Sequence, residues 1–537
     1  MALTLTLAWA ALLLVVAIIA GVVIGWRSSG AAPLPRGLLM LLPLAGAAML
    51  WAMWLNIADT PFDEWNGARV APVMAWWMGL PLYYPPGEGP GTAFIYPPVS
   101  AILRLPLAWM SSPTAAVLAS AVLNSLFYHV PIAIFIWTIR GPRLMRWIGL
   151  LTVWGFSLTL GSLSYSAYFV HADAPALGFG LLACTLLTHG WQRMRDTRRM
   201  VLAAGFLALS IGSKQTQVPL LAILPLYALL RYGWRPAFLL AGTCAALLAI
   251  MTGICIGVWG WEAIEFNWFG IAAGQPWQFE THGRLASFMI WSGTLVAEAT
   301  GPALAMGVLY LFMRPTGSRR IGLRRFLLRP WFLPFVIAVV MVPLAIMSLA
   351  KRGGWGNSLS ITSYHLSVAL GGLIAGYRWL RVARQNPLYA RAVVSTAALL
   401  AIALAAWCAT PFTTTRKTLM EIADLGHNPE QTAFAFAQKY PGQAYFPRNP
   451  LATLMAEGRY YMFEFGMLDE MQVDKKMGRN SFTAQRIGRY LPPQMKIIAI
   501  PPERTAGIAR MELPGFTRRV NIDELPNWIV FSRPESP

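Results

Sequence analysis

The fold is decided by a stretch of twelve residues, Ala58-Asp59-Thr60-Pro61-Phe62-Asp63-Glu64-Trp65-Asn66-Gly67-Ala68-Arg69, that follows a long apolar segment from Gly37 to Ile57. This stretch holds three carboxylates and one arginine, although the whole chain of 537 residues contains only 23 Asp and Glu. Adjacent carboxylates where a membrane helix meets water are costly next to lipid and are tolerated in a polar cleft. We therefore interpret Asp63 and Glu64 as the centre of an active site at a membrane face.

The composition around this stretch is that of a helical membrane protein. Hydrophobic residues make up 56% of the chain and charged residues only 12%, whereas a soluble domain carries about a quarter charged residues. The net charge is +20, but the arginines lie in short loops between apolar runs rather than together on a soluble domain. This distribution is a topology signal, and it argues against nucleic acid as a partner.

Apolar runs of about 20 residues predict about 12 spanning helices. The predicted segments are 3–25, 37–57, 113–139, 147–164, 172–190, 200–213, 217–230, 236–259, 285–313, 331–350, 362–379 and 392–410. The pair 200–213 and 217–230 is short. It is interpreted either as two tilted or broken helices that meet at residues 214–216, or as one helix flanked by irregular chain.

The positive charges predict the orientation. Alternate loops carry 21 arginines, and the opposite loops carry only six basic residues. Because positive loops stay in the cytoplasm, the arginine-rich loops are predicted to be cytoplasmic. These loops are 26–36, 140–146, 191–199, 231–235, 314–330 and 378–391. Asp63 and Glu64 are then predicted on the extracytoplasmic side of a multi-pass protein of the bacterial inner membrane.

Two regions interrupt the pattern of spanning helices. Prolines and glycines exclude one long helix from the outer loop 58–112 and favour short interfacial helices. Residues 411–537 contain no spanning run and are predicted to form a soluble α/β domain on the extracytoplasmic side, with a helix at 429–439. Strands are predicted at 444–446, 459–465 and 496–500. The predicted fold is an all-α polytopic membrane domain, residues 1–410, followed by this domain.

Several motifs, taken in order and on one side of the membrane, resemble the GT-C class of membrane glycosyltransferases, such as the protein O-mannosyltransferases and the lipid A aminoarabinose transferase. The motifs are Phe62-Asp63-Glu64, Gly79-x-x-Leu82-Tyr83, Tyr96-Pro97-Pro98, Lys214-Gln215 and Lys351-x-Gly353-Gly354-x-x-Asn357, and the likeness spans residues 37–365. The chain departs from the class in an extra helix before the helix that precedes the acidic loop. The resemblance implies a polyprenyl-phosphate-linked sugar donor, a glycan, lipid or protein acceptor, and inversion at the anomeric carbon.

The resemblance implies a reaction in which an acceptor hydroxyl displaces polyprenyl phosphate, and a hydroxyl needs a base within hydrogen-bonding reach. Asp63 is the predicted base, with Glu64 as its alternate or as a partner that positions Asp63, the sugar or a metal. Neighbouring helical residues point about 100° apart, so the two carboxylates are expected to do different work. The alternative interpretation is a solvated helix start that caps the residues from Trp65 onward.

Cations are predicted to meet the leaving phosphate. The candidates on the outer side are Arg69, Lys214, Arg284, Lys351 and Arg352. Lys214 is the sharpest of them, because it interrupts an apolar stretch where lysine is least expected. Its alternative role is to extend toward the lipid headgroups.

The remaining candidates are neutral or metal-binding groups. Asn357 and His365 are candidates for orienting the sugar or phosphate, and Tyr83 and Tyr96 for stacking on sugar. Their alternatives are a helix cap, a structural hydrogen bond and an aromatic belt. His171 and Asp173 are weak candidates for a divalent metal, since their i, i+2 spacing alone is poor evidence. No cofactor is otherwise predicted.

Two other functions compete with glycosyl transfer. A transporter or flippase of a lipid-linked sugar would be expected to show internal repeats and polar residues at the membrane midplane. We see no repeat, and the acidic residues cluster at one face. A non-catalytic membrane assembly protein would not depend on Asp63.

Overall fold

The computed structural model describes residues 12–20, 23, 34–92, 94–189, 196–279, 283–313, 326–351, 354, 356–409, 412–478, 484–501, 515–526 and 528–533. Most of the predicted helix 3–25 lies outside these ranges, although residues 12–20 and 23 are helical. Large parts of the predicted loops 26–36, 191–199 and 314–330 also lie outside them.

The other eleven predicted segments are helical in the structure. Six are long and apolar enough to cross a membrane, and the number rises to eight if each of two bent pairs forms one span. The six contain Arg36–Ala58, Pro113–Thr138, Trp234–Trp259, Arg284–Met313, Ser360–Ala375 and Pro387–Ala409. The chain is thus a multi-pass membrane protein, and the count of 12 spans stays a prediction.

The two bent pairs correspond to the predicted segments 147–164 and 331–350. Arg143–Thr159 and Gly161–Tyr168 meet at 96°, and Phe332–Val340 and Val342–Leu349 meet at 41°. The remaining helices of the bundle are Asp173–His189, Asp196–Ser213, Leu220–Tyr232 and Trp379–Ala383. Lys214 and the turn Gln215–Gln217 separate two of these helices, which agrees with the two-helix interpretation of 200–230.

Sequence signals explain how these helices start and pack. In helix Pro113–Thr138 the Ser112 hydroxyl accepts a hydrogen bond from the Ala115 N–H at 3.2 Å, and proline occupies the first position, as an N-terminus favours. Gly178 on the neighbouring helix comes so close to the Phe127 carbonyl that a Cβ would lie 2.0 Å from its oxygen. Small residues allow this close approach between membrane helices.

Short helices fill the predicted outer loop 58–112, as its prolines indicate. They are Glu64–Trp77, Val99–Ile102 and the turn Leu105–Trp109, and a second group, Trp261–Glu265, Phe266–Gly270 and Ile271–Gly274, packs nearby. Trp77 and Trp109 are largely exposed, which suits aromatic side chains at the level of lipid headgroups.

Residues after 411 form a mixed four-stranded sheet with helices. The strands are β1 Ala444–Tyr445, β2 Ile497–Ile500, β3 Arg518–Val520 and β4 Ile529–Ser532, in the order β1-β2-β4-β3. β1 is parallel to β2 and the other pairs are antiparallel, with Ile498 opposite Phe531. The helices are Phe412–Ala423, Pro429–Lys439, Pro450–Glu457, Glu464–Met477 and Ala484–Arg489.

The predicted strand 459–465 is wrong. Residues 459–463 form no strand, and Glu464 begins a helix. The Phe463 N–H donates to the Pro90 carbonyl at 3.1 Å, and the Met462 N–H donates to the Tyr490 carbonyl at 2.9 Å. The backbone of this segment therefore pairs with the outer loop and with its own domain rather than with the sheet.

Candidate active site

Asp63 is the N-cap of helix Glu64–Trp77. Its Oδ1 accepts a hydrogen bond from the Trp65 N–H at 2.9 Å, and its side chain is half-buried. A backbone N–H at a helix start is an ordinary partner for an aspartate. Within the described ranges no hydrogen bond reaches Oδ2, so the capping role and a proton-accepting role are compatible. The assignment of Asp63 as a base stays a prediction.

Glu64 faces the C-terminal domain. The side chain is 7% exposed, and its Oε1 lies 3.7 Å from Arg448 Nη1. Arg448 also donates from Nε to Glu464 Oε2 at 2.8 Å, and both of these side chains are buried. One guanidinium thus joins two carboxylates from separate parts of the chain. The catalytic part predicted for Glu64 stays a prediction, and the structure gives this carboxylate an interdomain ion pair.

Glu430 adds a third buried carboxylate beside this pair. A Cβ on Gly67 would lie 2.1 Å from Glu430 Oε1, so only glycine fits at position 67 without displacing the carboxyl group. The pKa of Glu430 is raised to about 8, chiefly by burial and in small part by the charge of Glu64, while hydrogen bonds with Asn449 and the Ala452 backbone oppose the rise. Glu430 is therefore largely protonated at neutral pH. The C-terminal domain packs directly on the helix that begins after Asp63.

We expect Arg448→Met to lower the free energy of unfolding by about 3–5 kcal/mol, because it leaves the buried Glu64 and Glu464 without their shared cation. Thermal or denaturant unfolding in detergent measures this loss. Arg519→Met is the matched control, since Arg519 is exposed on β3, and it should change stability little. Equal stability of the two variants would contradict the interdomain ion pair.

Arg69 follows Glu64 by five residues on the same helix and is held by neutral groups. Its Nη2 donates to the Tyr165 hydroxyl at 2.6 Å and its Nη1 to the Val170 carbonyl at 3.1 Å. The guanidinium also lies over the rings of Trp65 and Tyr165, at 5.3 and 5.5 Å from their centroids. Among the described residues no carboxylate is within ion-pair distance of it, although the Asp63 charge acts on it. Arg69 is therefore a positioned cation that no described carboxylate neutralises by an ion pair.

A buried polar cluster is centred on Asp173. Its Oδ1 lies 2.5 Å from Lys214 Nζ, and its Oδ2 accepts a hydrogen bond from Asn357 Nδ2 at 2.8 Å. His171 Nδ1 lies 2.5 Å from the same Oδ2, and His171 Nε2 lies 2.8 Å from the Tyr96 hydroxyl. Three separate sequence motifs, carrying Tyr96, Lys214 and Asn357, thus meet around one carboxylate. We call these five residues the Asp173 cluster.

The protonation of His171 follows from its partners. A carboxylate only accepts, so Nδ1–H donates to Asp173 and Nε2 accepts from Tyr96. Burial lowers the pKa of His171 to about 3, although Asp173 opposes the shift. The imidazole is therefore neutral at physiological pH. Lys214 supplies the positive charge that balances Asp173, so its predicted contact with a phosphate stays a prediction alongside this internal pair.

Arg104 and Asn124 support the loop that carries His171, although neither is among the site residues predicted from the sequence. Arg104 is buried, and its Nη2 donates to the His171 carbonyl at 2.6 Å and to Asn124 Oδ1 at 2.7 Å. The available signal was an arginine on the side of the bundle where few are expected. Tyr165, which fixes Arg69, gave no comparable signal in the sequence.

The other candidates occupy several positions. The Tyr83 hydroxyl donates to the Tyr96 carbonyl at 2.5 Å, so it supports the Asp173 cluster. Lys351 donates to the Gln275 carbonyl at 3.1 Å and lies 4.2 Å from the Trp277 ring centroid.

His365 is fully buried two helical turns beyond Asn357, with Nδ1 2.9 Å from the Ile361 carbonyl. Arg284 is exposed at the start of its helix, and no described contact joins it to the cluster.

Two further predictions concern Arg352 and a metal. Arg352 lies outside the described residues, so its position is not assigned. Within the described part of the chain no group of three His, Cys, Asp or Glu side chains could hold a metal ion. Both oxygens of Asp173 are already used by Lys214, His171 and Asn357. This arrangement fits an ion-paired hydrogen-bond network better than metal ligation.

Most of the chain is similar in backbone to solved structures of ArnT from Cupriavidus metallidurans. The ArnT structure bound to undecaprenyl phosphate has 13% sequence identity and a TM-score of 0.54, over 92% of this chain and 98% of that chain. The apo structure has 14% identity and a TM-score of 0.51, over 91% and 97%. The archaeal oligosaccharyltransferase AglB from Archaeoglobus fulgidus has 12% identity and a TM-score of 0.38, over 86% and 69%.

Comparison with protein-family models finds no match. Comparison with curated proteins also finds none. At 13% identity the likeness to ArnT is one of fold, and it covers the C-terminal domain as well as the helical bundle. The chain therefore has the fold of the GT-C class of membrane glycosyltransferases, as the order of its motifs from Asp63 to Asn357 predicts.

Proposed function

We propose that the protein is a glycosyltransferase that moves a monosaccharide from a polyprenyl-phosphate-linked donor to an acceptor hydroxyl. The observation that carries the proposal is a half-buried carboxylate, Asp63, at the N-terminus of the same helix that holds a positioned cation, Arg69, on which the Asp63 charge acts. A base for the acceptor hydroxyl and a cation for the leaving phosphate are what this displacement needs. The GT-C fold supports this function, and one of its solved members, ArnT, is bound to undecaprenyl phosphate.

The proposed reaction is a single displacement. Asp63 Oδ2 takes the proton of the acceptor hydroxyl while the acceptor oxygen forms a bond to the anomeric carbon. The bond from that carbon to the phosphate oxygen breaks, and its electron pair leaves with the polyprenyl phosphate. Arg69 stabilises the charge that gathers on the leaving phosphate, because its own charge is not neutralised by a described carboxylate. Configuration at the anomeric carbon inverts.

The Asp173 cluster is proposed to hold this site in shape. Tyr96, Lys214 and Asn357 come from three separate connections between helices, and Asp173 joins them. A buried network with its members satisfied fixes geometry. The arginine distribution supports an extracytoplasmic position of the site in the bacterial inner membrane, with membrane lipid around the bundle.

We expect purified protein in liposomes to transfer sugar from a synthetic undecaprenyl-phosphate monosaccharide and not from a nucleotide sugar alone. Product formation is measured by mass spectrometry of lipids and glycans with and without the protein, which also identifies the sugar and the class of acceptor. Transfer from a nucleotide sugar without any lipid carrier would refute the proposed donor. Movement of the intact lipid-linked sugar across the bilayer without cleavage would favour a flippase.

A further inference from the structure

A cavity lies at the far end of helix Asp173–His189 from Asp173. Asp173 is the first residue of helix Asp173–His189, and Thr188, near its last residue, lines this cavity of about 580 Å3. A rise of 1.5 Å per residue puts the two ends of this helix roughly 22 Å apart. The cavity is also lined by Thr138 and Met313, the last residues of two spanning helices, and by Arg378, which follows the spanning helix that ends at Ala375.

The cavity is strongly cationic. Five arginines line it, and none of its described lining residues is an aspartate or glutamate: Arg140, Arg231, Arg329, Arg378 and Arg381. Arg231 is half-buried and donates to two neutral oxygens, the Tyr227 hydroxyl at 2.6 Å and the Leu327 carbonyl at 3.0 Å. Its charge is therefore held in place by groups that do not neutralise it. Such a set of planar guanidiniums suits a phosphate group.

The walls of the cavity are apolar and aromatic. Phe326, Leu328 and Trp331 lie on one segment, and Leu328 is exposed. Tyr377 is 6% exposed, and its hydroxyl has no hydrogen-bond partner among the described residues. A buried hydroxyl without a partner is unfavourable, and a ligand oxygen would satisfy it. Arginines that serve only as a topology signal need neither this wall nor this hydroxyl.

We propose that this cavity binds the phosphate group of an anionic membrane lipid. The cations fit the phosphate, and the apolar wall at the ends of spanning helices fits the start of the acyl chains. A free phosphate would use the arginines but not the wall. This site is separate from Asp63 and Arg69 and goes beyond the proposed transfer reaction. An anionic lipid would thus bind the bundle at the end where its arginines are concentrated.

The test measures lipid binding to the full-length protein in detergent. Native mass spectrometry and the melting temperature are followed while phosphatidylglycerol, phosphatidylcholine or inorganic phosphate is added. We expect phosphatidylglycerol to bind and to raise the melting temperature more than the other two. The variant Arg378→Gln/Arg381→Gln should bind it at least tenfold more weakly, given the usual contribution of each basic residue near an anionic lipid.

The matched control is Arg384→Gln/Arg391→Gln, which removes the same charge from exposed arginines that do not line the cavity. It should bind phosphatidylglycerol like the wild type, and both variants should melt like the wild type without lipid. If both variants lost the same affinity for phosphatidylglycerol, the binding would depend on general surface charge, and the proposed site would be wrong. Unchanged binding in the first variant would also overturn it. Inorganic phosphate as effective as the lipid would assign the cavity to free phosphate instead.

Discussion

Asp63→Asn is expected to lower sugar transfer by about 10²–10⁴-fold, the usual effect of losing a general base. The protein should still express, fold and bind its donor. Asparagine is as good an N-cap as aspartate, since its side-chain oxygen still accepts the Trp65 N–H. The substitution therefore keeps the start of helix Glu64–Trp77 and removes only the basic oxygen. Initial rates with the undecaprenyl-phosphate donor, together with melting temperatures, measure both effects.

Glu64→Gln is the comparison for this variant. Glu64 lies against Arg448 and is 7% exposed, so its amide should change the melting temperature more than Asp63→Asn does. Its transfer rate should fall less if Asp63 is the base. If Glu64→Gln lowered the transfer rate more than Asp63→Asn, Glu64 would be the base and Asp63 the supporting residue. If both amide variants transferred sugar at the wild-type rate, the acidic loop would be a capped helix start and Asp63 would leave the mechanism.

The helices could be predicted from the sequence because each depends on local apolar runs. Helix Arg36–Ala58 agrees within a residue with the predicted segment 37–57, and Pro429–Lys439 has the predicted bounds. The prediction of a strand at 459–465 was wrong because it rested on local pattern alone. A short alternating pattern fits a strand, but the partners of this backbone, Pro90 and Tyr490, are distant in the chain. Local periodicity carries no information about such partners.

The site could be predicted only in part. Lys214 stood out because it is a charge in an apolar stretch, yet its partner Asp173 could not be inferred without the packing of two helices. Arg448 is an ordinary arginine in a mixed sequence, and nothing near it indicates that it reaches Glu64. A chemical anomaly such as a buried charge marks a residue as special. The identity of its partner depends on the tertiary fold.

We expect Arg69→Gln to lower the transfer rate by roughly 100- to 1,000-fold, as the loss of one group that stabilises developing charge typically does. Its partners Tyr165 and Val170 accept hydrogen bonds, and the glutamine amide can still donate to one of them. The melting temperature should therefore fall only slightly. Arg69→Lys keeps the charge but loses the planar fork and the stacking on Trp65, so it should recover part of the rate.

Lys214→Gln separates a phosphate-binding cation from a structural one. Lys214 Nζ lies 2.5 Å from Asp173, and both side chains are buried, so its loss leaves a buried carboxylate with too little positive charge nearby. We expect this variant to lose stability first, because an uncompensated buried charge is strongly destabilising. Arg69→Gln should instead lose rate while it stays folded. The reverse pattern, in which Arg69→Gln unfolds and Lys214→Gln folds but is slow, would transfer the phosphate contact from Arg69 to Lys214.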